Sequence, residues 1–435
     1  MTKRMLLAVL LLIVFALPAG CQKQGGEPTQ PTAPAPTILP TPTPEPPPTP
    51  TPDPVGEALA GMTVEQKAAQ LLVAGIEGTE PGEDAVQAIQ GYQVGGVILF
   101  GRNVESAEQL AALTNGLKEL NGDYTPLFLC VDQEGGRVDR MPPEVTDLPS
   151  ALDFGSIADP EARMDACFTL GQTLAAQCAA FGFNMDFAPS LDIWSNPENT
   201  VIGDRAFGTD AATVTGAANE TALGILSGGV IPVAKHFPGH GDTAVDSHYG
   251  LPVVDKSLEE LEELELRPFR QAIDTTCVYG TYGGDTSIPA IMVAHILLSQ
   301  IDPDNPASLS PEVVTGLLRE EMGYEGVVCT DDLTMGAISN TYGMGEAAVL
   351  AVEAGCDLLL VCHGADNLAE AHAALVEAVD SGRIPEERLD ESVRRILALK
   401  GAYGLINAPV EAPDIEALND RIAALERSIE ADTSQ

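Results

Sequence analysis

Eight short apolar segments rich in β-branched residues recur along this 435-residue chain, at 71–76, 94–100, 127–131, 183–189, 231–236, 290–295, 326–330 and 357–362. Between them lie stretches with helical starts and stops. Thr63 with Gln66 and Ser106 with Gln109 match the spacing of a capping box, in which cap and third residue exchange hydrogen bonds. Asp159-Pro160 and Ser310-Pro311 each place a cap residue before a proline at the first helical position, and Gly323 closes the second of these helices. Strands that alternate with helices demand a parallel sheet. Eight of them fit a single closed (β/α)8 barrel of the TIM type, spanning 55–407. An open doubly wound sheet is the rival. It calls for a glycine-rich phosphate loop after an early strand, and neither GxGxxG nor GxxxxGK[ST] occurs. Residues 274–288, rich in Thr, Tyr and Gly, read as a loop inserted before the sixth strand. The acidic stretch 408–435 reads as a helix-prone tail.

The first 54 residues stand apart from that pattern. Lys3 and Arg4 precede an apolar run from Met5 to Leu17, then Pro18-Ala19-Gly20-Cys21, the layout of an export signal. The run is shorter than the roughly 20 residues that cross a bilayer. The small residues before Cys21 resemble a bacterial lipobox, with Pro18 where that motif usually has Leu. The expectation is a signal peptide over 1–21, an acylated Cys21 and a surface lipoprotein, or a secreted protein if Cys21 stays unacylated. Residues 22–54 form a Pro/Thr-rich linker. Thirteen prolines lie between Glu27 and Pro54, and in polyproline geometry that stretch reaches roughly 90 Å.

Formal charge is −42, from 22 basic and 64 acidic residues, which argues against a nucleic-acid partner. The acidic run 259–265, at helical spacing, reads as a solvated helix face. No CxxC pair occurs, and Cys130, Cys329 and Cys362 sit at the ends of apolar runs as small buried hydrophobes. Neither a disulfide framework nor a metal or other cofactor is signalled.

In a barrel, polar residues at strand C-termini converge on one mouth. Those ends carry Arg102, Asp132 with Glu134, Asp192, Lys235 with His236, His295, Asp331 with Asp332, and His363. The richest is Lys235-His236-Phe237-Pro238-Gly239-His240-Gly241-Asp242-Thr243-Ala244-Val245-Asp246-Ser247-His248, with three of the six histidines. Carboxylates, cations and imidazoles without a phosphate cradle suit a polar substrate such as a sugar. A metal reading of the histidines is disfavoured, because H-x3-H-x7-H is no common zinc spacing and Lys235 stands beside the cluster.

The KHFPGHGDT…DSH, DQEGGRV.R and TDDLTM segments resemble glycoside hydrolase family 3, in its bacterial β-N-acetylglucosaminidase branch, from about Thr63 to about Lys400. The resemblance implies Asp331 as nucleophile, His248 as general acid/base and Asp246 as the residue that orients it. It implies Asp132, Arg140, Arg205, Lys235 and His236 as sugar-holding residues. The implied activity is exo-acting, retaining removal of terminal GlcNAc from peptidoglycan fragments or chito-oligosaccharides through a covalent glycosyl-aspartate. A β-glucosidase or an N-acetylglucosamine phosphorylase on the same scaffold is the near alternative, and a non-catalytic carbohydrate-binding lipoprotein the distant one. An unperturbed imidazole titrates near pH ~6.5, so it can give a proton to the leaving oxygen and later take one from water.

The other residues have plainer readings. Adjacent residues on a regular strand point apart, so only one of Asp331 and Asp332 is expected to face the sugar. The glycines between His236 and His248 are read as giving that loop freedom to move. Trp194 either stacks on a sugar or packs against its loop. His295 divides between core and site wall, Glu134 reads as a loop cap, and His372 as an exposed helix residue.

Overall fold

The structure is a computed structural model that describes residues 53–243, 246–274 and 288–433. The export segment, Cys21, the linker as far as residue 52 and most of the loop expected at 274–288 lie outside the described residues.

Eight strands close into an all-parallel barrel: β1 Leu72–Gly75, β2 Gly96–Leu99, β3 Phe128–Val131, β4 Met185–Asp186, β5 Ile231–Phe237, β6 Ala290–Val293, β7 Val327–Asp332 and β8 Leu358–Val361. Each pairs with its neighbours in the chain, and β8 closes on β1 through Leu72–Leu359, Val73–Leu360 and Ala74–Val361. Helices cover the outside, making a (β/α)8 barrel. All eight strands lie where the apolar segments predict them.

Two strands depart from regular pairing. In β5 the step from Ala234 to Phe237 spans three residues, while its partner moves only from Ile291 to Val293. In β7 the step from Cys329 to Asp332 is opposed by Leu358 to Leu360. Each strand carries one extra residue at its C-terminal end. Such bulges re-aim side chains.

The caps are only partly as expected. Thr63 and Gln66 exchange both bonds of the box, at 3.3 and 3.0 Å. Ser106 Oγ accepts from the Gln109 N–H, but the Gln109 side chain accepts from Glu105 N and donates to the Thr79 and Asn103 carbonyls. It fastens a loop instead of closing a box. Asp159 and Ser310 cap their helices through Ala162 N and Val313 N. The acidic run is not wholly solvated either. Glu265 is buried and accepts from Lys256 Nζ at 2.6 Å, and the same ammonium reaches Asp242 at 2.8 Å. The chain after residue 407 ends in a helix, Ile415–Thr433, that buries Leu418, Ile422 and Leu425 beside the helix Pro160–Ala180.

At the end of the barrel where the strands begin, Asp357 is fully buried. It accepts from Arg319, Arg395 at 3.1 Å, Ser392 Oγ at 2.7 Å and Val328 N at 3.0 Å. Lys400, also buried, donates to Gln70 Oε1 and the Gly95 carbonyl, both at 2.9 Å. Burial drops its pKa to about 7. The six described cysteines are buried and free.

Candidate active site

At the other end, where the strands finish, lies a cavity of about 250 Å³. Asp132 follows β3, Lys235 and His236 end β5, and Asp331 with Asp332 end β7. All five line the cavity, with Arg140, Arg205 and His248. Of the eight residues named from the sequence, seven reach this space. Asp246 is not part of the lining and bonds to His248.

The floor is a buried charge network. Lys235, 1% exposed, places its ammonium 2.7 Å from Asp132 Oδ1 and 2.6 Å from Glu134 Oε1. Arg205 meets Glu134 with two parallel bonds, Nε–Oε2 at 2.9 Å and Nη2–Oε1 at 2.7 Å. Burial alone would raise the pKa of Glu134, yet Arg205 and Lys235 hold it well below the ordinary carboxylate range. Burial likewise works against the Lys235 ammonium, and Asp132 and Glu134 more than offset it. Unpairing any one of these charges leaves another buried and unmatched, which is why the set is rigid. Glu134 is thus no loop cap. It is the hub that holds both cations.

His236 stands on this floor. Its Nδ1 lies 2.6 Å from Asp192 Oδ2, and its Nε2 3.4 Å from Arg205 Nη2. Asp192 is fully buried and also accepts from Ser190 Oγ at 2.9 Å and from the His240 N–H at 2.6 Å. Burial opposes its charge, but His236 and the bonds it receives lower its pKa to about 2. Lys235 and His236 are consecutive, and both face the cavity because of the extra residue in β5.

The bulge in β7 does the same for Asp331 and Asp332, correcting the expectation that only one of them faces the cavity. Their carboxylates differ in what occupies them. Asp332 accepts from Thr334 N, Thr334 Oγ1 and Cys362 N. Among the described residues, Asp331 accepts only the Asp332 N–H, at 2.8 Å. Burial opposes its ionisation, and the imidazoles of His295 and His236 with that N–H hold its pKa below the usual value. His295 is fully buried, with Nδ1 2.7 Å from Ser308 Oγ and Nε2 2.9 Å from the Asp332 carbonyl. It braces the end of β7 and is a core histidine.

His248 sits on the turn after the β5 loop, with its side chain 63% exposed and Nδ1 2.8 Å from Asp246 Oδ1. Asp246 also accepts the His248 N–H, so one carboxylate fixes backbone and ring together. The turn is docked by main chain: Ser247 and His248 carbonyls accept from Ala337 N at 3.0 Å and Gly336 N at 3.3 Å, just beyond β7. A Cβ at Gly336 would come within 2.6 Å of the His248 oxygen, so only glycine permits this approach. Gly241 has a similar reason, since a Cβ there would lie 1.7 Å from the Ile193 carbonyl oxygen. Both positions serve close packing, and of the two Gly241 lies in the loop between His236 and His248.

Other candidates fall away from the chemistry. Arg102 donates to the Ile76 and Cys362 carbonyls and ties strand ends together. Trp194 is absent from the lining, while His363 lines the mouth, stacked on Phe100 at 5.7 Å. His372 donates to or accepts from no part of the site and instead meets the Glu65 carbonyl at 2.9 Å. Among the described residues, no group of three His, Cys, Asp or Glu side chains is arranged to hold a metal ion. No helix among them is long and apolar enough to cross a membrane.

Residues 63–399 match the family model described as glycosyl hydrolase family 3 N terminal domain. A β-hexosaminidase from Nitrosomonas eutropha is 36% identical over 331 residues, covering 75% of this chain and 91% of that protein. The solved structure of a glycoside hydrolase family 3 β-N-acetylglucosaminidase from Paenibacillus sp. str. FPU-7 shares 41% identity with a TM-score of 0.77, over 85% of this chain and 69% of that one. A β-glucoside phosphorylase, BglX, solved with 2FGlc, is 25% identical with a TM-score of 0.74, over 87% and 66% of the two chains. With its barrel, its charged floor and its match along nearly the whole folded region, this chain belongs to glycoside hydrolase family 3.

Proposed function

We propose that the protein is an exo-acting, retaining β-N-acetylhexosaminidase in which Asp331 is the nucleophile and His248 the general acid/base. The observation that carries this reading is the pairing across one cavity of a carboxylate held ionised at a strand tip with an imidazole oriented by its own aspartate. Asp132, Lys235, His236, Arg205 and Arg140 supply donors and acceptors for the hydroxyls of one terminal sugar. A pocket floored by buried charges takes a chain end and not a chain middle.

In the first step an Asp331 oxygen attacks the anomeric carbon while the glycosidic C–O bond breaks. The leaving oxygen takes its proton from His248 Nε2. In the second, water attacks the same carbon, gives a proton to His248 Nε2, and the bond to Asp331 breaks, so configuration is retained. Throughout, Asp246 accepts from Nδ1–H and fixes the tautomer, as the buried aspartate does in a serine-protease triad. A mechanism-based fluorosugar is expected to label Asp331, and labelling elsewhere sinks the assignment.

A second reading has phosphate instead of water in the second step. It is favoured by the His248–Asp246 pair, because an imidazole repels an anion less than a second carboxylate would, and by the likeness to a phosphorylase. Release of p-nitrophenol from the GlcNAc and glucose β-glycosides, with and without phosphate, separates the two. The substrates proposed are GlcNAc-terminated muropeptides at the outer face of the membrane, with the chain tethered through Cys21. The support is the export signal and the Pro/Thr stretch. A Cys21→Ala chain that stays in the membrane fraction would refute the tether.

A further inference from the structure

The second histidine of the β5 loop, His240, has no part in the steps above, yet it is 2% exposed and bonded on every side. Its N–H donates to Asp192 Oδ1 at 2.6 Å, and its carbonyl accepts from Asn199 Nδ2 at 2.8 Å. Ring Nδ1 lies 2.9 Å from Thr243 Oγ1 and Nε2 3.2 Å from Ser247 Oγ. Ser247 immediately precedes His248. We propose that His240 is a positioning residue for proton transfer: its ring clamps Ser247, and so holds the turn that presents His248 to the leaving oxygen.

This inference rests on His248 as acid/base. Burial, reinforced by the nearby His236, pulls the His240 imidazole down to about 4, so near neutral pH it carries one ring hydrogen. Asn199 Nδ2 donates to Thr243 Oγ1 at 3.1 Å, leaving the Thr243 hydroxyl hydrogen for Nδ1 or for the His240 carbonyl. With Nδ1 accepting, the ring hydrogen is on Nε2 and points at Ser247 Oγ. The Ser247 carbonyl is meanwhile held by Ala337 N. The turn is therefore fixed from two sides, by a neutral ring within its own loop and by main chain beyond β7. With both ring nitrogens engaged, His240 is a brace and not a proton donor.

A brace of this kind predicts a dependence on the leaving group. An acidic phenol departs without a proton, whereas a sugar alkoxide needs one. The full-length protein and its variants are assayed with 2,4-dinitrophenyl β-GlcNAc and with N,N′-diacetylchitobiose, reading kcat/KM for each. His240→Ala is expected to lose up to roughly 10²-fold on chitobiose and less than about threefold on the dinitrophenyl glycoside, within the usual contribution of general acid catalysis. His240→Gln, which keeps an N–H donor, is expected to recover part of the chitobiose activity. Ser247→Ala removes the other end of the clamp with little change in volume, and decides the matter if His240→Ala does not fold. Equal losses on the two substrates, or no loss, in the folded variants overturns the proposal. Asp331→Ala, run alongside, is expected to lose both substrates. If it does not, the parent reading fails instead.

Discussion

The two ends of the barrel bury charge in opposite ways. Where the strands begin, Asp357 meets Arg319, Arg395, Ser392 and the Val328 N–H, and Lys400 meets Gln70 and Gly95. Where they finish, Lys235, Asp132 and Glu134 are equally interlocked, but Asp132, Lys235, Arg205 and His236 also face a cavity, and Arg140 Nε there is buried without a partner among the described residues. Desolvating these ions costs several kcal/mol at either end. At the closed end the return is a joined barrel. At the open end the return is a set of donors and acceptors aligned around a cavity. The contrast separates stability from function within one fold.

The sharpest way to break that contrast is to exchange one carboxylate at each end. Asp331→Ala, which removes the proposed nucleophile, is expected to lower kcat/KM by at least roughly 10³-fold, with little change in the urea unfolding midpoint. Asp357→Asn is expected to cost on the order of 3–5 kcal/mol in the same urea titration, because it leaves buried guanidinium groups unmatched. The folded fraction of that variant should keep its kcat/KM within about twofold, since the change lies far from the chemistry. A selective loss of activity in Asp357→Asn would erase the distinction between the two ends.

A smaller effect refines the open end. The Asp192 pKa is about 2 in the folded protein against 3.8 ordinarily. A depressed carboxylate contributes stability above its unfolded value and loses it as pH falls through the folded one. The window is therefore pH 4 to 2, and the contribution on the order of 2 kcal/mol. Asp192→Asn should flatten acid unfolding across that window and raise KM through a loosened His236. An unchanged acid transition would show that the aspartate is not ionised there.

Much of this is legible in the sequence. The strands could be read because apolar runs of strand length between helix signals leave few other architectures, and barrel topology then sends their polar C-termini to one mouth. While the family resemblance singled out His248, that reasoning located Asp132, Lys235, His236 and Asp331. It failed where one residue of register decides the outcome. Alternation predicts that Asp331 and Asp332 diverge, and the bulge opposite Leu358–Leu360 brings both to the cavity. Glu134 carries no sign in the sequence that it joins Lys235 to Arg205, since its partners lie 101 and 71 residues away. Glu265 misled differently: helical spacing marks it as solvated, while Lys256, nine residues earlier, pairs with it inside.

The approach of Gly336 to the His248 oxygen carries one more consequence. The proposed nucleophile and acid/base are gauged against each other by backbone, through contacts that no change of side-chain rotamer can alter. Enlarging residue 336 by a single methyl would shift the His248 imidazole relative to the carboxylate while leaving the charged floor of the pocket in place. An inactive Gly336→Ala enzyme with an intact sugar pocket would be a failure of spacing, written in the main chain alone.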